Sequence, residues 1–597
     1  MIYSSHMSNT QVNWNLTPLL KSDNDPQILT ESDKIDQAIS TFADKWQSRE
    51  DYLKEPQALK EALDDYNLLM TEYGTSGNAG YYFHLRQAQD QIDTTIKAQN
   101  QKLSDAAVKR MNKIQFFEIR LSKIPKETQK TILNSPILSP YKHYLERSFA
   151  MAEFVLSEPE EKIMALKSQT SYSNWVRMIS SLESQEVREI EIDGKIEEKT
   201  FDELLKIASL NKIESTRDTA TQHINEILKK LEDVAENEIN SILQDKKIND
   251  ELRGYARPDQ ERHLSDDIDS EVVDAMIKAV SSRNDLAQQF YKIKAQKLGK
   301  PILKYNERNL KIGEIKGSYT WEEGTALIEK VFSSLDPQFA HIANNLIANG
   351  QIDVYPRRGK TGGAFCSSNL ISQPTYILLN YTNKLNDVLT LAHELGHAIN
   401  SEMMKQKVNA LNFDTPLSTA EVASTFVEDF VLQELEKSAD PQTQKALIMQ
   451  KLNNDVSTIF RQVACYRFEQ ELHSTFRERG YLSKEEIGEI FQKHMSSYMG
   501  SAVDQPDWAK RWWIYWTHIG SFLYVYSYAF GLLISKAMRN MVKKDPASIT
   551  KVKEFLSSGT TDSPKNIFAK MGIDITDTTF WTQGLSEIES SLQSVSN

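Results

Sequence analysis

The chain has 597 residues, 40% of them apolar and 26% charged, with a net charge of −13. That is an ordinary globular composition, and its acidic balance argues against nucleic acid, which needs a basic footprint. Cys366 and Cys465 are the only cysteines, which excludes a disulfide framework, allows one bridge at most, and points to a reducing, cytoplasmic setting.

Glycines (22) and prolines (17) are sparse, which favours long helices with few tight turns. The opening "MIYSSHMSNTQVNW" has no basic stretch followed by an apolar run, so no secretory signal is expected. Its "SHM" has the look of an expression-tag junction, with Met7 the expected natural start. Three stretches, 31–47, 88–121 and 215–248, place apolar residues at three- and four-residue spacing and predict helices. Residues 188–201, "REIEIDGKIEEKTF", alternate around Asp193-Gly194 and predict a β-hairpin. A domain boundary is expected there, between an N-terminal helical region (1–187) and the remainder (188–597). Residues 357–383 break the helical pattern again. A Gly-rich loop leads to a strand-like run, Thr375 to Tyr381, within a small β-segment at about 355–381. Such a segment either offers an edge strand to a peptide or is a small structural sheet.

The stretch "LTLAHELGHAINSEMM", 389–404, lies on a helix expected from about Asn386 to Lys405. At about 100° per residue, His397 falls near 40° from His393 and Glu394 near 100°. Val388, Leu391, Leu395 and Ile399 fall on the opposite side. Two imidazoles one turn apart can chelate a small cation, with Glu394 in reach of a water; two exposed histidines on a polar face would share the spacing. A catalytic metal of this kind needs a third protein ligand and an open position. A second helix is predicted after Ser418, with Glu421, Thr425 and Glu428 on one face. Glu421 can be the third ligand, with Glu428 behind it steadying the ligand set. The same residue can instead close a capping box with Ser418.

Downstream, "RWWIYWTHIGSFLYVYSYAFG" (511–531) places Tyr524 and Tyr528 on one helical face, with His518 before them at the helix start or in the preceding loop. Phenols and an imidazole on a cavity wall suit a developing oxyanion; aromatic core packing is the alternative, and Tyr526 points off that face towards the core. Trp512–Ser535 has no formal charge and the length of a membrane span. Its four tyrosines, three serines, Thr517 and His518 make it too polar for lipid, so a buried helix lining a cavity is expected.

Taken together, "HELGH" (393–397), "AEVAST" (420–425), "GGAFC" (362–366) and "HIGSFLYVYSYAFG" (518–531) resemble oligoendopeptidase F, in the thimet oligopeptidase-like family of zinc metallopeptidases. The likeness extends through "LSEPEEKIMALKS" (156–168), "INDELRGYARP" (248–258) and "WNLTPLL" (14–20), and so covers most of the chain. It implies a mainly α-helical, two-lobed body with a deep central channel, the zinc helix at its floor and small β-segments near the active site. It also implies a zinc-dependent endopeptidase that hydrolyses internal bonds of short peptides. By position, the family's single Zn²⁺ falls to His393, His397 and Glu421, its catalytic carboxylate to Glu394, and its substrate- and transition-state-binding groups to His518, Tyr524 and Tyr528. Ile519, Gly520 and Ser521 depart from the polar or aromatic residues common after this histidine, which bears on substrate preference. No nucleic-acid or membrane partner is expected, and a monomer is the simplest state, though an oligomer stays open.

Two rivals share parts of this pattern. A zinc carboxypeptidase needs a cation for the substrate's terminal carboxylate, and Arg357 and Arg358 keep it open. A non-catalytic peptide- or metal-binding protein would have no need of the base that Glu394 supplies.

Overall fold

The computed structural model describes residues 12–313, 315 and 317–596. The expected start at Met7 lies outside the described residues. The fold is mainly helical, 71% helix and 4% strand. The longest helix, α1 (Glu214–Arg253), has 40 residues, about 60 Å at 1.5 Å per residue. It stops at Gly254, whose φ of 80° is the left-handed conformation that ends helices. The stretch 88–121 is not one helix. It breaks into Gly77–Gln89, Thr94–Ile114 and Phe116–Ser122. Asp93 makes the break, its carboxylate accepting the N–H groups of Thr95 and Ile96 as an N-cap.

Strands β1 (Val187–Ile192) and β2 (Lys195–Thr200) form the expected antiparallel hairpin. Asp193 and Gly194 both have positive φ at its tip, as the tight hairpin turn demands.

The chain divides into two compact units, each discontinuous in sequence. The first gathers the described residues up to 153, those of 317–438, and 538–572; the second takes 154–315, 439–537 and 573–596. The boundary expected at 187/188 falls inside the second unit, at the start of β1.

In the first unit, helices around Trp46, Tyr52, Leu63 and Phe117 form one apolar core. A three-stranded sheet adjoins a second: β3 (Ile352–Asp353), β4 (Phe365–Ser367) and β5 (Tyr376–Leu378), in the order β3-β5-β4. β5 pairs parallel with β3 and antiparallel with β4, which leaves β4 on an edge. β5 is fully buried, and the "WNLTPLL" segment covers it: Trp14 Nε1 donates to Ile377 O at 2.8 Å and Tyr376 Oη to Asn15 O at 3.0 Å. The short β3 carries no alternating pattern of its own, being two residues long.

Helix α2 (Leu385–Lys405) follows the sheet and packs on α3 (Val422–Ser438). Val388, Leu391, Leu395 and Ile399 are all fully buried, the arc expected from the helical phase. At Gly396 the backbones nearly touch: a Cβ there would lie 2.5 Å from Ser424 Cα and 2.8 Å from Ala423 O.

In the second unit, α4 (Gln462–Arg479) packs near the aromatic stretch expected to be one helix. That stretch is broken. Short 3₁₀ turns span Asp507–Trp513 and Thr517–Ser521, and α5 (Tyr526–Lys544) begins only afterwards. Phe522 (φ 48°) and Leu523 (φ 54°) are consecutive left-handed residues, a conformation no α-helix contains. No single helix among the described residues is long and apolar enough to cross a membrane; one pair, Asp507–Ser521 with Tyr526–Lys544, qualifies by length and composition but is bent by 77°. Both cysteines are free thiols.

The contact at Gly396 generates a prediction. Its neighbours are backbone atoms, which cannot rotate aside, so Gly396→Ala forces α2 and α3 apart. A stability loss of about 1–3 kcal/mol is expected, read by thermal unfolding in excess chelator. An unchanged melting temperature would mean the helices have slack at this point.

Candidate functional site

The close approach of α2 and α3 sets three donors facing each other. Ligand atoms of His393, His397 and Glu421 lie within 4.8 Å of one another. His393 Nε2 is 3.2 Å and His397 Nε2 3.7 Å from the same oxygen, Glu421 Oε2. The rings are 5.0 Å apart, as the i, i+4 spacing requires.

Each donor is oriented by a second bond. His393 Nδ1 is 3.0 Å from Glu428 Oε2, so Nε2 is the nitrogen turned inward. His397 donates to the backbone carbonyl of Ala420. Ser424 Oγ donates to Glu421 Oε2 at 3.0 Å. Partners of this sort fix the ring orientation and ligand basicity at metal sites. All three lie on α3 or the turn leading into it. The capping-box alternative finds no support in the geometry: the Glu421 carboxylate faces the imidazoles, and the buried Ser418 Oγ has no hydrogen-bond partner.

The electrostatics follow from burial and crowding. Burial alone would depress His393, but the carboxylates of Glu421 and Glu428 on its two nitrogens carry its pKa up to about 10. Burial takes His397 down to about 4. Burial opposes charge on Glu421, yet the His393 hydrogen bond and the adjacent imidazoles hold it at about 2. This is a centre with an excess of negative donors, and a divalent cation would take the place of the shared proton. The residues therefore fit a metal: two imidazole nitrogens and one carboxylate oxygen converge, each with its outer partner satisfied.

Glu394 stands beside this group, 7% exposed. Burial is the main cause of a pKa raised to about 7, with Glu421 adding repulsion. The Cys366 N–H on edge strand β4 donates to it and opposes that rise. A carboxylate that titrates near neutrality suits proton transfer. A cavity of about 570 Å³ opens here, lined by Phe365, Cys366, His393, Glu394, His397 and Glu421 among others. A second, of about 370 Å³, shares Ala364 and Glu394 and continues past Gly363, Asn380 and Tyr381. Glu394 thus separates two hollows along the β4 side of α2.

In the second unit, His518, Tyr524 and Tyr528 form a half-buried cluster. His518 Nδ1 and Tyr524 Oη are hydrogen-bonded, and the Tyr524 and Tyr528 rings lie 5.9 Å apart. Burial, with the Arg461 charge, lowers the His518 pKa, which favours the neutral imidazole. Tyr526 is fully buried and donates to Asp266 at 2.6 Å, a core residue as its helical phase indicates. The pairing of Tyr524 with Tyr528 comes by a different route from the one expected, since Tyr524 lies before α5 in the turn after Leu523.

Three further residues build these sites without taking part in the chemistry. Gly396 permits the helix contact, Cys366 supplies an N–H through its backbone, and Glu469 on α4 accepts the Leu523 N–H at 2.7 Å. Gly396 and Cys366 leave traces, inside "HELGH" and "GGAFC", whereas Glu469 leaves none. The cationic candidates for a carboxypeptidase are placed differently: Arg357 is committed to Asp353 by two bonds of 2.6 and 2.7 Å, and Arg358 is exposed.

The description "Peptidase family M3" matches residues 193–587, about two thirds of the chain, and "Oligopeptidase F" matches residues 120–181. Among curated relatives, the Group B oligopeptidase PepB of Streptococcus agalactiae is 23% identical over 522 residues, covering 86% of this chain and 87% of its own. The oligopeptidase PepF of Bacillus subtilis is also 23% identical, over 83% of this chain and 74% of its own. In fold, a crystal structure from Chlamydophila abortus, assigned as a peptidase, superposes with a TM-score of 0.86 at 21% identity, covering 98% of each chain. The oligoendopeptidase-F of Enterococcus faecium gives 0.69 at 16% identity, over 96% of this chain and 98% of its own. The chain belongs to peptidase family M3: it is a metalloendopeptidase that cleaves short peptides, in a family that implies a bound metal, typically zinc.

Proposed function

We propose that His393, His397 and Glu421 hold one zinc ion per chain and that Glu394 is the general base of peptide hydrolysis beside it. The observation that carries this reading is the convergence of three ligand atoms within 4.8 Å, with His393 Nδ1 engaged by Glu428 and its Nε2 turned inward. When bound, zinc supplies Lewis acidity to the scissile carbonyl and acidifies water. Glu394 accepts a proton from the attacking water and returns it to the leaving amine. The Cys366 N–H keeps that carboxylate aimed while it cycles. Edge strand β4 pairs with the peptide main chain, which fixes the substrate without reading its side chains. His518, Tyr524 and Tyr528 serve as donors to the oxyanion, on the strength of their clustering and of the family resemblance at those positions. The enzyme acts on short peptides as a monomer in the cytoplasm; two free thiols support the reducing setting and the charge of −13 supports the lack of a nucleic-acid partner.

Five variants test the assignments. Glu394→Gln should retain zinc and bind peptide while turnover falls by about 10²–10⁴, the usual span of a general acid–base contribution. Activity within tenfold of the parent would assign the proton to another group. Glu421→Gln should keep its helix content, by circular dichroism, yet lose zinc on dialysis, by metal analysis. Full zinc occupancy in that variant would remove Glu421 from the ligand set. For the second unit, Tyr528→Phe should lower kcat by about 10²–10³ with KM little changed, and Tyr524→Phe should do the same more weakly. Tyr526→Phe should cost stability through its Asp266 bond and leave kcat alone. A kinetic defect at Tyr526 with none at Tyr528 would place the wrong phenol in the reaction.

A further inference from the structure

The cavity of about 570 Å³ beside the metal ligands runs on past them. Its floor is α2, from His397 through Asn400 to Met404. One wall is edge strand β4 with the residues after it, and the other is the segment before α3, Phe413 to Thr415. All of these belong to the first unit. Asn400 and Met404 lie three and seven residues beyond His397, about 4.5 and about 10 Å along the helix axis. Thr415 sits over both, its Oγ1 3.5 Å from Asn400 Oδ1 and 3.7 Å from Met404 Sδ. Asp414, its neighbour in the chain, is thereby set at the end of the cavity away from Glu394.

That end has its own chemistry. Asp414 is exposed and lines the cavity. Its carboxylate accepts the Thr415 N–H at 2.8 Å and, among the described residues, forms no ion pair. No lysine or arginine among the described residues lines the cavity. Between Asp414 and the metal ligands the lining is apolar at Met404 and Phe413 and neutral at Asn400. The wall that carries Asp414 is anchored from behind. The Asn412 carbonyl accepts the Thr560 N–H at 3.1 Å, and Asn400 Nδ2 donates to Leu556 O at 2.6 Å. A Cβ on Gly559 would lie only 2.3 Å from that Asn412 oxygen, so the anchoring loop comes as near as a glycine permits.

We propose that this end of the cavity is a side-chain subsite for a basic residue of the peptide substrate, lysine or arginine, with Asp414 as its counter-ion. This rests on the peptidase reading above. A long basic side chain has an aliphatic stem and a charged tip. The stem lies along Met404 and Phe413, and the tip reaches the Asp414 carboxylate. A short side chain stops before it, and an acidic one meets a like charge. Main-chain pairing on β4 holds a peptide without reading its sequence. Asp414 supplies a reading that the strand lacks. Because it stands at a fixed distance along α2 from His397, it also fixes which bond is cut relative to the basic residue.

The test uses the zinc-loaded full chain and internally quenched peptides blocked at both ends, neutral apart from one lysine moved through each position in turn. Matched sets carry norleucine or glutamate in its place, and cut bonds are mapped by mass spectrometry. The parent should cut at one constant offset from the lysine, about 5–20-fold more efficiently than the norleucine peptide and chiefly through KM, the value of a partly exposed charge pair. Asp414→Asn keeps an acceptor for the Thr415 N–H and should bring the ratio of lysine to norleucine cleavage to unity. Asp414→Lys should turn the preference to glutamate. Each ratio is internal to one enzyme, so a misfolded fraction cancels. A cut bond that ignores the lysine, equal cleavage of the lysine and norleucine sets by the parent, or a preference that survives Asp414→Asn overturns the subsite while the peptidase stands. Failure of the parent to cleave any peptide would count against the peptidase reading instead. Calorimetric titration of the lysine and norleucine sets into Glu394→Gln enzyme, with and without Asp414→Asn, would then still judge the subsite by binding alone: tighter binding of lysine that Asp414→Asn abolishes supports it, and equal binding overturns it.

Discussion

The metal centre depends on how closely two helices approach. A carboxylate on α3 must reach two imidazoles on α2, and side chains of this length span the gap only if the backbones nearly touch. Gly396 makes the contact possible, since any Cβ there would overlap the backbone of Ser424. From that one point the rest of the site follows. Glu421 lies at the start of α3, opposite the interval between His393 and His397. Glu428, two turns further along α3, falls behind His393. The turn before α3 supplies the Ala420 carbonyl to His397. Four residues of one short segment are placed by a single packing constraint, and the wholly apolar arc of Val388, Leu391, Leu395 and Ile399 holds α2 against movement.

Much of this was legible in the sequence because helical phase is a local property. The spacing of His393 and His397, the face shared by Glu421 and Glu428, and the burial of Tyr526 all follow from 3.6 residues per turn. The hairpin at Asp193-Gly194 was legible for a like reason, since its turn type demands those residues. What failed was continuity. Asp93 inside 88–121 reads as one more polar residue until its side chain is seen capping a new helix. At Phe522-Leu523 neither of the two positive-φ residues is a glycine, and Gly520 two residues earlier is the one local hint of a break. It exists because a partner 54 residues away in sequence, Glu469, takes up the Leu523 N–H. Long-range hydrogen bonds leave no periodicity.

That break is a second place where the structure holds an unfavourable arrangement. Two consecutive residues with side chains adopt the left-handed conformation, at a cost of order 1–3 kcal/mol each. The acceptor that fixes them is itself strained by its surroundings: Glu469 is completely buried, burial raises its pKa to about 8, and its Oε1 has no hydrogen-bond partner. Phe522 is clamped between the rings of Tyr172 and His473. The result is a turn whose shape is imposed from outside. It sets Tyr524 against His518, six residues earlier, which a continuous helix would have turned away from the Tyr524–Tyr528 face.

The two polar clusters therefore solve different electrostatic problems. Around His393 the surplus is negative: Glu394, Glu421 and Glu428 crowd two imidazoles, Glu394 is pushed towards neutrality, and a cation relieves the group. Around His518 the groups are neutral donors: burial, with the Arg461 charge, lowers the imidazole pKa, and Nδ1 is hydrogen-bonded to Tyr524 Oη. A peptide carbonyl becomes negative at its oxygen during attack, a charge that suits a cation and neutral donors alike. The negative surplus around His393 is thus the place in the first unit where a bound cation would complete the protein's own electrostatics.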